Sequence, residues 1–192
     1  MVETKQSFAL EKRLQDLYDA HTERSKLIEW NYYDYLPWEK GSSFTLNPWN
    51  ESQRTLPTEI VTAIETSMLT EINLPWYTAY LKDMFRDGLA PLQGFVHNWV
   101  AEEDQHATAL ENYLVLTRNS DPKELGVLKR EMMVTGWDST FASPIATMGY
   151  TAIQELATVV FYQKIAKSSK EHDETLSVLL TRLSKDESLH YA

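Results

Sequence analysis

Glu71 stands in MLTEINLP, and 32 residues later Glu103 opens a Glu-x-x-His pair with His106. The arrangement recurs further on. Glu155 stands in IQELAT, and 32 residues later Glu187 opens a second pair with His190. Residues three apart on an α-helix share a face. Both pairs therefore call for helices, and the equal offsets predict four ligand-bearing helices in two equivalent halves. The residues around each acid repeat at helical period. Ile60, Ile64, Met68 and Glu71 share one stripe, and Met148, Ala152, Glu155, Val159 and Tyr162 share another. Val96, Trp99, Val100, Glu103, His106, Ala107, Leu110 and Leu114 form a third, while Leu176, Leu179, Leu180 and Leu183 lead into Glu187 and His190. Opposite the third stripe lie Glu102, Asp104, Gln105, Thr108 and Glu111, so Glu102 is expected to face solvent. Each of the four glutamates sits where the periodicity calls for leucine.

Four carboxylates in one apolar core repel one another and carry a large desolvation cost. Two divalent cations cancel four negative charges. Two lone glutamates and two Glu-x-x-His pairs are the inward-pointing ligand set of di-iron and di-manganese bundles. Mixed imidazole and carboxylate ligation suits either metal. The alternative, solvated Glu and His on helix surfaces, conflicts with the apolar stripes. The expected fold is all-α: a four-helix bundle with additional helices, one domain over residues 1–192, and a di-metal carboxylate core. Its expected ligands are Glu71, Glu103, His106, Glu155, Glu187 and His190.

Composition narrows the chemistry. The 192 residues are 43% hydrophobic, enough for one substantial core. There is no cysteine, hence no disulfide and no thiolate-ligated cluster. A redox reaction here needs electrons from a separate protein. The net charge of −10 argues against non-specific nucleic-acid binding. No apolar run approaches the roughly 20 residues of a membrane span. The first residues, MVETKQSFALEKRL, lack a signal peptide's apolar centre and carry acids early. A cytoplasmic protein is the expectation.

Along the chain, residues 7–30 read as a helix with Leu10, Leu14, Leu17 and Tyr18 on one stripe. The segment EWNYYDYLPWEK is dense in aromatics, which either pack over the bundle or serve a redox or ligand role. Residues 42–56 read as loop. A helix opens at Pro57-Thr58-Glu59, and Pro75 kinks or ends it. Asp87-Gly88 marks a break before Pro91. Residues 122–135 form a further helix ended by Gly136, Ser143-Pro144 opens the third ligand helix, and the fourth starts near Glu171. His21, His97 and His172 lie off the ligand stripes and read as surface residues. Thr158, one turn after Glu155, either reaches the cluster or bonds a helix carbonyl. Asp186 either holds a ligand histidine by its free N–H or is a solvated acid. The chain stops two residues after His190. A core helix is expected to run on, so a C-terminal truncation is the expectation.

At these motifs the chain resembles the soluble acyl-carrier-protein desaturases, the type 2 fatty-acid desaturase family with a ferritin-like fold. The matching text is DYLPW ending at Trp38, TE-x-x-LP from Thr70, W-x-AEE-x-x-H from Trp99, QE-x-AT from Gln154 and DE-x-x-H from Asp186. TE-x-x-LP and QE-x-AT are the specific parts, because Glu-x-x-His alone fits ferritins and other di-iron oxygenases. The resemblance implies that the six ligands hold two iron ions. It places the Thr158 hydroxyl beside the oxygen-binding face, and Trp30, Asp186 and His106 on an electron route. It also implies an O2-dependent desaturase that forms a cis double bond in an acyl chain borne on acyl carrier protein. A ferredoxin supplies electrons, and the enzyme is a homodimer. Two alternatives stand beside it: another di-iron N-oxygenase or hydroxylase, and a ferritin-like iron-binding protein. The sequence departs from the family at Asp104-Gln105 and Ser188-Leu189, where Arg or Lys is usual. An acidic carrier protein needs a basic patch, for which Lys123, Lys129 and Arg130 are the candidates.

Overall fold

The computed structural model describes residues 2–27, 29–87 and 90–191. These residues form seven helices: α1 (Val2–Leu27), α2 (Thr58–Glu71), α3 (Leu74–Met84), α4 (Ala90–Leu116), α5 (Pro122–Thr135), α6 (Pro144–Ser169) and α7 (Glu174–Tyr191). No strand occurs among them. The six candidate ligands lie on α2, α4, α6 and α7.

Local chemistry sets the boundaries. Asp121 caps α5 by accepting from the backbone N–H of Lys123, and Ser143 caps α6 by accepting from that of Ala146. Each is followed by a proline, whose fixed φ suits the first helical position. Gly136 ends α5 at φ 68°, a left-handed conformation that favours glycine. Pro75 opens a new helix rather than kinking the old one. The α2 helix stops at Glu71, and α3 starts at Leu74 with the proline in its first turn. The break predicted at Asp87-Gly88 falls between α3 and α4, with Gly88 outside the described residues.

The ligands separate two apolar clusters. Along α4, Val96 and Trp99 belong to one cluster with Tyr77, Leu81 and Phe85 of the α3 region. Beyond Glu103 and His106, residues Leu110, Tyr113 and Leu114 join Ile64, Met68, Tyr162 and the α7 leucines. Leu176, Leu179, Leu180 and Leu183 are fully buried, each worth about 1.5–3 kcal/mol of transfer free energy. The α6–α7 hairpin is the most closely packed pair of elements, so Glu155, Glu187 and His190 stand on one stiff unit. The α6 stripe is buried at Glu155, Val159 and Tyr162 but exposed at Met148.

Residues 42–56 are irregular apart from a short 3-10 turn at Glu51–Gln53. They are pinned by the end of α4. Asn119 Oδ1 accepts from the backbone N–H groups of Thr55 and Leu56 at 3.0 and 2.9 Å. Arg118 donates to Ser42, Asn47 and Gln53 and lies over the Phe44 ring. No helix among the described residues is long and apolar enough to cross a membrane.

The docking face of α1 differs from the expected stripe. Leu10 and Leu17 are each 54% exposed. The inward positions are Glu11, Leu14, Tyr18, His21, Thr22 and Ser25; apart from Thr22 they keep a 3-4-3-4 spacing, which holds one narrow seam against α4 and α7. His21 is buried at 5% exposure, which corrects its reading as a surface residue. His97 and His172 are exposed as expected.

Candidate metal centre

All six sequence-picked residues converge on one place. Glu71, Glu103, His106 and Glu187 bring ligand atoms within 4.8 Å of one another, and so do Glu103, Glu155, Glu187 and His190. Glu103 and Glu187 belong to both groups, and their two oxygens divide between the halves. Glu103 Oε2 lies 2.8 Å from His106 Nδ1, and its Oε1 lies 2.6 Å from His190 Nδ1. Glu187 Oε1 lies 3.2 Å from His106 Nδ1, and its Oε2 lies 3.5 Å from His190 Nδ1. Each of these two carboxylates could therefore offer one oxygen to either half of the cluster. Glu71 then completes one half and Glu155 the other.

The donor set fits a metal pair. Both Nδ1 atoms and Glu187 Oε1 are buried without a hydrogen-bond partner. Buried polar atoms are seldom left so, and these lone pairs share the space between the helices. Tyr162 Oη donates to Glu71 Oε1 at 2.6 Å, which fixes that carboxylate at the last residue of α2. The outer ring nitrogens face second carboxylates. His106 Nε2 is hydrogen-bonded to Asp186 Oδ2 at 3.2 Å, whereas His190 Nε2 lies 3.3 Å from Glu102 Oε2, close enough for ion pairing but out of hydrogen-bond alignment. Each of these acids immediately precedes a shared ligand in sequence. Such partners fix the orientation of a ligand imidazole. Glu102 also accepts from Ser25 and His21 of α1, so it does not face solvent as its helix position suggested. The heptad seam of α1, with His21 and Ser25 on it, was the signal that could have shown this.

Without metal, the cluster's charges are shared unevenly. Burial, then Glu103 and Glu187, pushes Glu71 up to about 8. Burial likewise raises Glu155 well above the carboxylate range, with Glu103 and Glu187 adding to it against the pull of His190. Burial opposes ionisation of Glu103 too, yet His106 and His190 overcome it and hold that carboxyl low. Burial disfavours the imidazolium of both histidines, and the surrounding carboxylates raise them nonetheless. Cation binding as carboxylate therefore displaces a proton from Glu71. We expect ferrous affinity to fall as the pH drops below about 8, with protons released on binding. Calorimetric titration in two buffers of different ionisation enthalpy measures that release, and a buffer-independent heat would contradict it.

On one side the cluster opens to a cavity of about 260 Å³ lined by Tyr77, Trp99, Trp137, Tyr150, Thr158 and four of the ligand glutamates. The Thr158 hydroxyl donates to the Gln154 carbonyl at 3.0 Å, as a helix threonine does, and the residue lines this cavity. Trp137, missed in the sequence, packs edge-on against Tyr77 and Tyr80 and walls the cavity. On the other side, Trp30 Nε1 donates to Asp186 Oδ2 at 2.5 Å. Trp30, Asp186 and His106 are thus in unbroken contact. Trp30, Tyr32 and Tyr35 also pack on the core, so the aromatic segment does structural work too. Of the candidate basic patch, Lys129 is paired with Glu111 at 2.5 Å.

The family model for fatty acid desaturases matches residues 6–192. The chain belongs to the fatty acid desaturase family. It is 32% identical over 173 residues to DesA1 of Mycobacterium tuberculosis, a candidate acyl-(acyl-carrier-protein) desaturase, covering 84% of this chain and 50% of that protein. It is 30% identical over 171 residues to a seed-specific chloroplastic stearoyl-(acyl-carrier-protein) 9-desaturase of Brassica napus, covering 84% of this chain and 43% of the relative. The X-ray structure of DesA2, a candidate acyl-carrier-protein desaturase of Mycobacterium tuberculosis, superposes with a TM-score of 0.66 at 28% identity, over 95% of this chain and 66% of that one. The chain spans about half the length of DesA1. The fold is the ferritin-like helical bundle of this family.

Proposed function

We propose that this chain carries the catalytic core of an O2-dependent desaturase, acting on a saturated acyl chain delivered by acyl carrier protein. The carrying observation is that Glu103 and Glu187 each present one oxygen to either half of a six-ligand cluster, beside a cavity walled by aromatic side chains. Glu71 and His106 would hold one iron ion, Glu155 and His190 the other, with Glu103 and Glu187 between them. When bound, the iron pair would supply O2 activation. One O2, two electrons and two protons, with the two hydrogens taken from adjacent methylenes, give a cis double bond and two waters.

The protein's own groups do the rest. Tyr77, Trp99, Trp137 and Tyr150 exclude water and align the acyl chain against the cluster. Thr158 lines the same cavity, and its hydroxyl would hand on a proton there by turning from the Gln154 carbonyl. Asp186 orients His106, and Trp30 continues that contact toward a cleft lined by Lys26, Glu29 and Gln105. Trp30–Asp186–His106 is the route we assign to incoming electrons. The family resemblance extends the reading to a ferredoxin-type donor, a homodimer and a cytoplasmic setting.

The test combines the iron-loaded protein, reduced ferredoxin, O2 and saturated acyl-carrier-protein substrates of several lengths, with products read as methyl esters. We expect an alkene that requires both O2 and reductant. Thr158→Val should keep both irons and lower turnover about 10²-fold, the low end for a positioned proton donor. Hydroxylated product without alkene would replace desaturation by hydroxylation. A mineral core without substrate oxidation would replace it by iron storage.

A further inference from the structure

The two halves of the cluster are supported from different parts of the chain. Asp186, which faces His106, is held by Trp30 at 2.5 Å and by Arg182 at 2.9 Å, one turn earlier on its own helix. Glu102, which faces His190, is held by α1 alone among these neighbours: His21 Nε2 lies 3.1 Å from Glu102 Oε2, and Ser25 Oγ donates to Oε1. A carboxylate only accepts, so the imidazole presents Nε2–H.

The α1 helix is seated for this task. A Cβ at Gly94 would meet the Tyr18 ring at 3.2 Å, so glycine there lets α1 approach α4 closely. Tyr18 Oη accepts from Asn98 at 2.8 Å, and the His21 ring packs edge-on against Phe95 with centroids 5.1 Å apart. Beside these contacts lies a polar cleft lined by Thr22, Ser25, Asn98, Glu102 and Asp186. The Glu102 side chain keeps 19% exposure. Released from α1, it would turn into the water of that cleft and take its charge away from His190 Nε2, now 3.3 Å from Glu102 Oε2.

We propose that His21 and Ser25 are positioning residues for one metal half: they hold Glu102 against His190, so the ion of Glu155 and His190 depends on α1 while that of Glu71 and His106 does not. This rests on the two-ion reading above. It gives the amino-terminal helix, which bears none of the six ligands, a defined share in building the centre. Supporting carboxylates of this kind change metal affinity by about 10–100-fold.

The experiment is anaerobic Fe(II) titration by calorimetry on the wild type, His21→Leu, His21→Gln and Ser25→Ala, each with a metal-free melting curve. Two ions are expected in the wild type. In His21→Leu one of the two should bind about tenfold more weakly, and the other within twofold of wild type. His21→Gln, whose amide can donate from the Nε2 position, should restore most of the affinity. Ser25→Ala removes only a hydroxyl and should weaken the same single site. Unchanged binding in both His21→Leu and Ser25→Ala overturns the proposal. So does equal weakening of both ions with no rescue by glutamine, which is the behaviour of a merely structural residue. Fewer than two ions in well-folded wild type removes the two-ion reading itself, and the proposal with it.

Discussion

Glu103→Ala is expected to bind neither ion of the pair. Its carboxylate lies within 2.8 Å of both candidate ligand histidines, through different oxygens. Removing it opens both halves at once and leaves His106 and His190 without their nearest anion. Glu71→Ala and Glu155→Ala each remove a ligand from a single half, so each should retain one ion. Glu102→Ala is the sharper comparison, because it lies one residue away. Its carboxylate faces the outer nitrogen of His190 and none of the inner atoms. It should weaken one ion by about 10–100-fold and leave the other. Iron per chain after anaerobic loading and desalting measures all four variants, with melting curves to confirm folding. Two retained irons in Glu103→Ala, or equal losses in Glu102→Ala and Glu103→Ala, would show that the bridging assignment is wrong.

The comparison of these two neighbours also shows what the sequence could convey. Period alone placed Glu103 inward, and the structure buries it at 4% exposure. The same period put Glu102 about 100° round the helix and outward, which holds for a helix with one buried face. Here α4 has two, because α1 docks on its far side. The seam that docks is half polar: Leu14 and Tyr18 share it with Glu11, His21 and Ser25. The stripe drawn by leucine spacing runs instead through Leu10 and Leu17, both of which stay exposed. The ligand helices were legible because each apolar stripe is long and the acids interrupt it at matched offsets. Pro75, Pro122, Pro144 and Gly136 act locally, so helix ends were legible to within a few residues. The tie between Tyr162 and Glu71 and the placement of Trp137 were not, since they join residues 91 and 60 positions apart. Nothing in local pattern reports such partners. The fastening of residues 42–56 by Arg118 and Asn119 belongs with them, for it depends on where the end of α4 meets the returning loop.

Loading two ferrous ions should raise the melting temperature by about 10–20 °C. The sign follows from the cluster's protons. In the metal-free protein, Glu71 titrates up to about 8 and Glu155 is raised as well, both chiefly by burial. A carboxyl raised on folding keeps its proton while the unfolded chain has lost it. Stability from that group is therefore full below the ordinary carboxylate range and declines as the pH rises toward about 8. At pH 8 the folded metal-free chain carries this cost, whereas bound cations replace the protons and remove it. The size follows from linkage. Free metal at 100 times Kd adds about 2.7 kcal/mol per site, so two sites add about 5 kcal/mol. For a chain of this length each kcal/mol moves the midpoint by about 2–4 °C. The increment should be larger at pH 8 than at pH 6, and Glu103→Ala should lose it. Calorimetric scans under argon with and without Fe(II), at both pH values, provide the check. An increment that survives in Glu103→Ala, or that Mg(II) reproduces in full, would place the stabilising ions elsewhere on the molecule.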